Sequence, residues 1–393
     1  MEQGLQPCKM AAKRQSFRGI SMERESKLVT ALMGSGRPVK ISLLLLLVAL
    51  LLAGATAESD PLGPVPKATS LANGPMAAVP FEIEALKRNW RRRIEAMRSA
   101  GELPIIDIES SFDVSAFDPS DYARAMDQYG IALIAFSPQG RSWTESARVV
   151  VALDPWRYIP TTTAGVPPLW PKEGKGFLEK TARQVRSDRY PLMGEFEFRH
   201  YPSPRQLARN GAGRDIEVAL DGPLGHALFR LSEKTLVPFE IHYEIEDRLL
   251  PPLEAMLKQY PKARVIWCHL AQIRYRSRST IYGPAYVRRL IESFPNLYFD
   301  TAFGGPNSRY PASGEFHATI WDRSSGGIQR EWEKLISGHP WRFLAALDIG
   351  GDRMDRLGEQ SRTLRRFLDA LPSSARPIVA YKAAWRLLFN EEI

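Results

Sequence analysis

Eight short apolar runs, separated by stretches patterned for helices, restrict the fold of this chain more than any other feature of its sequence. The runs are PIIDIE from 104, IALIAFS from 131, RVVVAL from 148, LMGEFEF from 192, VPFEIHY from 237, RVIWCHL from 264, NLYFDTA from 296 and RFLAALD from 342. Their β-branched and aromatic side chains suit buried strands. Between them, helical patterns fit 121–129, 176–187, 215–233, 247–260, 284–293 and 327–337, with two more at 358–371 and 379–390 after the last run. Neighbouring parallel strands need a crossover, usually a helix, so the alternation predicts a parallel sheet. Eight units over about 290 residues match an α/β fold of the (β/α)8 TIM-barrel type. An open doubly wound sheet competes, but no run leads into a G-x-G-x-x-G phosphate turn, and Gly304 with Gly305 alone is a weak substitute.

The N-terminus is set apart from this pattern. Basic Arg37 and Lys40, an apolar stretch from Ile41 to Leu52, and the small residues Ala55 and Ala57 read as a signal peptide cleaved after Ala57, within an N-terminal extension of residues 1–57. Met33 would open a leader of more ordinary length. The apolar stretch is at the short limit for a membrane span. The expected protein is therefore exported, periplasmic or secreted, with no membrane attachment after cleavage. Residues 58–80, rich in Pro, Gly, Ala and Ser, read as a linker, and 81–393 as the barrel domain, opened by an amphipathic helix over 81–99 on Phe81, Leu86, Trp90, Ile94 and Met97.

Composition excludes some classes of function. The leader takes eight basic and three acidic residues with it, so the net charge falls from +9 to +4, which argues against a general nucleic-acid-binding protein. Cys8 would leave with the leader, so the remaining chain keeps Cys268 alone and no internal disulfide; inside a strand, Cys268 reads as a small apolar residue. G-x-S-x-G, P-loop and C-x-x-C motifs are missing.

Barrel active sites gather at the C-terminal ends of the strands. The polar residues there are Asp107, Glu109 and Ser111 on run one, Glu195, Glu197 and His200 on run four, Glu240, His242 and Glu244 on run five, His269 on run six, Asp300 on run seven and Asp348 on run eight. Imidazole and carboxylate together suit a divalent ion that polarises a substrate and acidifies water. The bland alternative is that each is a hydrogen-bonded rim residue. The acids Glu195 and Glu197 raise glycoside hydrolysis as a minor alternative, which would need a second acid facing the same substrate.

The segments PFEIHYE, VIWCHLA, NLYFDTA, FLAALDIGGDRM and AYKAAWRLLF resemble, in order and spacing, those of the amidohydrolase-related (amidohydrolase family 2) metal-dependent hydrolases, a group that also contains decarboxylases of small aromatic acids. The resemblance spans about residues 104–390. It implies His242 as a metal ligand, His269 as a ligand or general acid/base, and Asp348 as the carboxylate that takes a proton from metal-bound water. The departure is on the first strand. Where the family usually has H-x-H, this chain has Glu109 and Ser111. Three outcomes follow: a mononuclear zinc or manganese site of Glu109, His242 and Asp348 with His269 and Glu195 as further candidates; metal-free acid/base chemistry; or a barrel that only binds a ligand.

Arg274, Arg276 and Arg278 alternate after run six and, in an extended loop, would face one way as a clamp for a carboxylate or phosphate; a solvated basic loop is the plain alternative. Segments 154–175 and 303–326, with their aromatic residues, are long enough to serve as lids or to pack over the rim. The expected partner is a small organic substrate, with Glu195 also in its reach, and homo-oligomerisation is left open.

Overall fold

Side chains alternate across a strand, so a closed ring of strands sends every second residue inward. The computed structural model describes residues 82–113, 118–139, 147–166, 169–186, 189–209 and 212–393. The leader with its cleavage site and the linker lie outside these. Eight parallel strands form the ring: β1 (Ile105–Phe112), β2 (Ile131–Pro138), β3 (Tyr158–Pro160), β4 (Met193–His200), β5 (Phe239–Tyr243), β6 (Val265–Trp267), β7 (Leu297–Asp300) and β8 (Phe343–Leu344). Ladders join β1 to β2 to β3, and β4 to β5 to β6 to β7 to β8. Isolated bridges, each of a few backbone bonds, join the two sheets at both seams. Gly165 N donates to Glu195 O (2.6 Å) and Glu197 N to Gly165 O (3.0 Å), while Ile108 N donates to Ala345 O (3.0 Å) and Asp348 N to Glu109 O (3.0 Å).

The helices, in chain order, are α1 (Ile83–Ser99), α2 (Pro119–Tyr129), α3 (Arg148–Leu153), α4 (Leu169–Arg186), α5 (Pro204–Ala208), α6 (Pro223–Thr235), α7 (Leu250–Gln259), α8 (Pro284–Ser293), α9 (Arg330–Gly338), α10 (Leu357–Asp369) and α11 (Ala383–Phe389). None among the described residues is long and apolar enough to cross a membrane. The helix expected over 81–99 is α1, whose Leu86, Trp90, Ile94 and Met97 form one buried stripe. Complete burial of Trp90 and Ile94 contributes about 1.5–3 kcal/mol for a side chain of Ile size. The buried Arg93 on the same helix donates to the carbonyls of Ile131 and Ala132, so α1 sits against the N-terminal end of β2, away from the strand ends that carry the chemistry.

Strand three is a correction. RVVVAL at 148–153 folds as helix α3, and the slot beside β2 is filled by Tyr158–Pro160, paired with Ile134–Phe136. β-branched residues favour strands only where the pleated surface is offered to them. Here a turn follows the helix, held by Asp154, which accepts from Trp156 N (2.9 Å) and pairs with Arg157 (2.8 Å), and delivers the next three residues to the ring. The helix expected over 215–233 is shorter for a similar reason. Ile216–Glu217 pair antiparallel with the end of β4, and α6 starts at Pro223, whose fixed φ suits a first helical position.

Inward-facing positions near the strand ends carry Asp107 and Glu109 on β1, Glu195 and Glu197 on β4, and Glu240, His242 and Glu244 on or just beyond β5. With the exception of Glu195, which is partly exposed to the cavity, all are buried.

Candidate metal centre

The ladder sets β4 and β5 in register with Glu197 opposite His242, and Glu195, two residues earlier on β4, reaches the His242 ring with its side chain. His269 follows β6 and has a left-handed backbone (φ 64°), costly for a residue with a Cβ. Two bonds hold it there: its N–H donates to Asp300 Oδ1 (2.9 Å), and its Nδ1 lies 2.9 Å from Ala302 O. A carbonyl only accepts, so Nδ1 carries the proton and the neutral ring turns the Nε2 lone pair inward.

That lone pair meets others. His269 Nε2 is 3.0 Å from His242 Nδ1 and 3.6 Å from Oε1 of both Glu195 and Glu109, and His242 Nδ1 is 2.8 Å from Glu195 Oε1. The far nitrogen of His242 lies 3.2 Å from Glu244 Oε1, which also accepts from Arg274 Nε at 2.6 Å. Glu244 is thus the acceptor for an N–H at His242 Nε2, while Nδ1 faces Glu195 Oε1 and His269 Nε2. Two imidazole nitrogens and a carboxylate oxygen face one another, an arrangement that needs a proton or a metal ion between them. Glu109 sharpens the point: it is buried, and neither of its carboxylate oxygens has a hydrogen-bond partner. An unpaired buried carboxylate costs several kcal/mol.

The titration of these groups follows. Burial, together with Asp300 and Glu195, pushes the Glu109 carboxyl well above the usual range. Burial opposes charge on His242, and the Glu195 and Glu244 carboxylates overcome it, lifting the ring to about 10. His269 is also raised, against its burial, mainly by Glu195. The centre therefore attracts positive charge. It also fits a divalent ion: ligand bonds of about 2.0–2.2 Å in a tetrahedral set place donor atoms about 3.3–3.6 Å apart. The separations found, 2.8 to 3.6 Å, bracket that spacing. Glu195, His242 and His269 each offer a donor atom within 4.8 Å of the other two, as do Glu109, His269 and Asp300, and Glu109, Glu195 and Cys268.

Of the residues singled out in the sequence, Glu109, Glu195, His242 and His269 converge. Asp348 lies beside them, with its backbone also left-handed (φ 49°), but its carboxylate is engaged in a two-pronged pair with Arg353 (2.6 and 3.1 Å). Arg274 reaches the cavity, held by Glu244 and lying over Tyr310 at 4.9 Å. Arg276 and Arg278 do not join it. Residues 276–278 form a helical turn instead of an extended loop, so the alternation that would have aligned the three is lost; both are exposed, and the Arg278 guanidinium lies over Tyr275 at 4.5 Å. The residues missed were Arg353, which sits in the quoted FLAALDIGGDRM segment, and the further arginines of the cavity wall. Their only signal was abundance.

Above the centre is a cavity of about 700 Å³, lined by strand ends, by the loop after β7 and by α10. Segment 303–326 lines it with residues 303–309 and His317, and is anchored where Tyr310 donates to Pro202 O (3.0 Å) and Trp321 to Gly304 O (2.8 Å). Segment 154–175 does not act as a lid, because it supplies β3 and the start of α4, and Trp170 is buried against Phe177, Phe196 and Phe198. Cys268 is buried, and its thiol is pushed well up by that burial.

Fold and site together define an α/β barrel with an imidazole and carboxylate donor cluster at its strand ends. No family model matches the chain, and no curated protein does. Among solved structures it is similar to 2,6-dihydroxybenzoate decarboxylase complexed with 2,6-dihydroxybenzoate (14% identity over 72% of this chain and 99% of that one, TM-score 0.40). It is also similar to an amidohydrolase from Burkholderia multivorans (13%, 72% and 98%, 0.43). A third is 5-carboxyvanillate decarboxylase from Novosphingobium aromaticivorans, complexed with manganese (13%, 72% and 95%, 0.40).

Proposed function

We propose that this chain is a metal-dependent hydrolase of a small organic anion, with zinc or manganese held by Glu109, Glu195, His242 and His269. The observation that carries this reading is the inward convergence of two imidazole nitrogens and two carboxylates, one of the carboxylates wholly without a hydrogen-bond partner. A mixed nitrogen and oxygen donor set suits either ion. A divalent ion there supplies Lewis-acid polarisation of a substrate oxygen and acidification of water.

The chain's own residues do the rest. Glu244 fixes His242 through Nε2 and Arg274 through Nε, so one carboxylate orients both a ligand and the cation that receives the substrate's negative group. Asp348 is the proton acceptor at its carboxylate oxygens. It becomes available when Arg353 exchanges its carboxylate for a substrate anion. In this reading the working protein begins after Ala57, outside the cytoplasm. A second reading, a barrel that only binds its ligand, is favoured by the Arg353 pair, which occupies that base.

Elemental analysis of the full chain purified without chelator, followed by a screen of esters, amides and lactones of aromatic acids, tests the proposal. Near-stoichiometric zinc or manganese with hydrolysis is the expected result. Metal without turnover of any substrate class would favour the binding barrel, and no uptake of either ion would end the hydrolytic reading.

A further inference from the structure

The cavity wall opposite the metal-type centre has a composition that its chemistry does not require. Eight arginines line the cavity, at positions 205, 209, 214, 274, 309, 353, 356 and 366, against four carboxylates, Glu195, Glu197, Asp348 and Glu359. Three of those carboxylates are matched within 4 Å by Arg214, Arg353 and Arg356. Arg309 and Arg366 are different. Arg309 donates to Gly314 O (3.0 Å) and lies over Phe316 (3.7 Å); Arg366 donates to Gly326 O and lies over Trp321 (5.5 Å). Neither has a carboxylate partner among the described residues. Aromatic faces and backbone carbonyls hold the two guanidinium groups in place and leave their charge unmatched.

Between them runs the turn 304–308. A Cβ built on Gly304 would stand 3.0 Å from Ser308 Oγ and 3.7 Å from His317 Nε2, and one built on Gly305 would stand 3.7 Å from Thr363 Oγ1. Two hydroxyls and an imidazole thus gather round the glycine pair of this turn. His317 is 7% exposed, lines the cavity, and has no hydrogen-bond partner at Nδ1. Its burial and the nearby Arg274 keep the ring neutral, so it can serve a ligand as donor or acceptor. Barrels commonly bind phosphate with the loops after strands seven and eight.

We infer that this wall, made by Ser308, Arg309 and His317 of the loop after β7 with Thr363 and Arg366 of α10, is a subsite for an oxyanion group of the ligand, a phosphate or a carboxylate. The inference rests on the proposed function and narrows its substrate class to organic acids with a second negative group, remote from the bond that reacts. The first group is met by Arg274 and Arg353 near the centre, the second by Arg309 and Arg366.

The test is calorimetric titration of the full chain with inorganic phosphate and, separately, with glutarate. Saturable binding of at least one probe is expected, weakened at least tenfold by Arg309→Gln and by Arg366→Gln, and unchanged by Lys175→Gln, which lies in a groove between α4 and α6. The tighter probe tells phosphate from carboxylate. The same titration on a Glu195→Gln/His242→Ala variant separates the two ideas: affinity kept while zinc is lost means that the subsite stands whatever becomes of the hydrolase reading. Affinity lost with the zinc, binding of neither probe, or arginine variants that bind like the parent would each overturn it.

Discussion

The two walls of the cavity are made differently. On one, carried by β4, β5 and the end of β6, Glu195, His242 and His269 sit within 3.6 Å of one another. On the other, carried by the loop after β7 and by α10, Arg309 and Arg366 are exposed and anchored to backbone carbonyls and ring faces. Convergence of donor atoms on one point tolerates errors of about half an ångström, and strands in fixed register provide that precision. An electrostatic wall needs only the right sign at several ångström, which loops can supply. Geometry-critical groups are on the scaffold and charge-critical groups on its connections.

The sharpest way to break this comparison is at His242. His242→Ala removes a donor atom and the partner of Glu195 and Glu244; under the proposed function it should reduce bound zinc or manganese to background and lower hydrolysis by about 10³-fold or more. Metal retained at the parent level would show that the strand wall is not its site.

His317 marks where the loop wall becomes buried. Burial, and then Arg274, depress its ring from 6.5 to about 4. The unfolded chain therefore binds more protons between these values. The associated stability is complete above about pH 6.5 and is lost as the pH falls through about 4, by about 3 kcal/mol in all. Urea unfolding of His317→Gln across that window should show a shallower dependence on pH than the parent. Equal slopes would mean that the ring titrates normally.

Glu244→Gln tests the support behind the strand wall. It keeps the side chain's shape but weakens the acceptor for His242 Nε2 and Arg274, and should cost about 10–100-fold in metal affinity, read by competition with a chelator. The smallest effect belongs to Arg276→Gln. Exposed and turned away with its helical turn, it should change stability by less than about 0.5 kcal/mol and leave phosphate and glutarate affinity unaltered.

The contrast between walls also explains what could be read in advance. PFEIHYE placed Glu240, His242 and Glu244 on one face because strand alternation has a period of two, and LMGEFEF did the same for Glu195 and Glu197. The arginine loop after β6 was misread because the same period was applied to a segment that curls into a turn. RVVVAL was misread as a strand because local propensity does not say which of two adjacent segments will take a slot in the ring.

The order of runs and helices by itself determined a parallel α/β barrel, seven of its eight strands, and the inward histidines and acids, since all of these depend on local periodicity. Only the tertiary structure decided that Glu109 is left without a hydrogen-bond partner, that Arg353 holds Asp348, and that Arg309 and Arg366 share a wall with His317. Those facts depend on which atoms from distant segments come within a few ångström, and on how much water burial removes from them. Neither quantity is a property of any local stretch of chain.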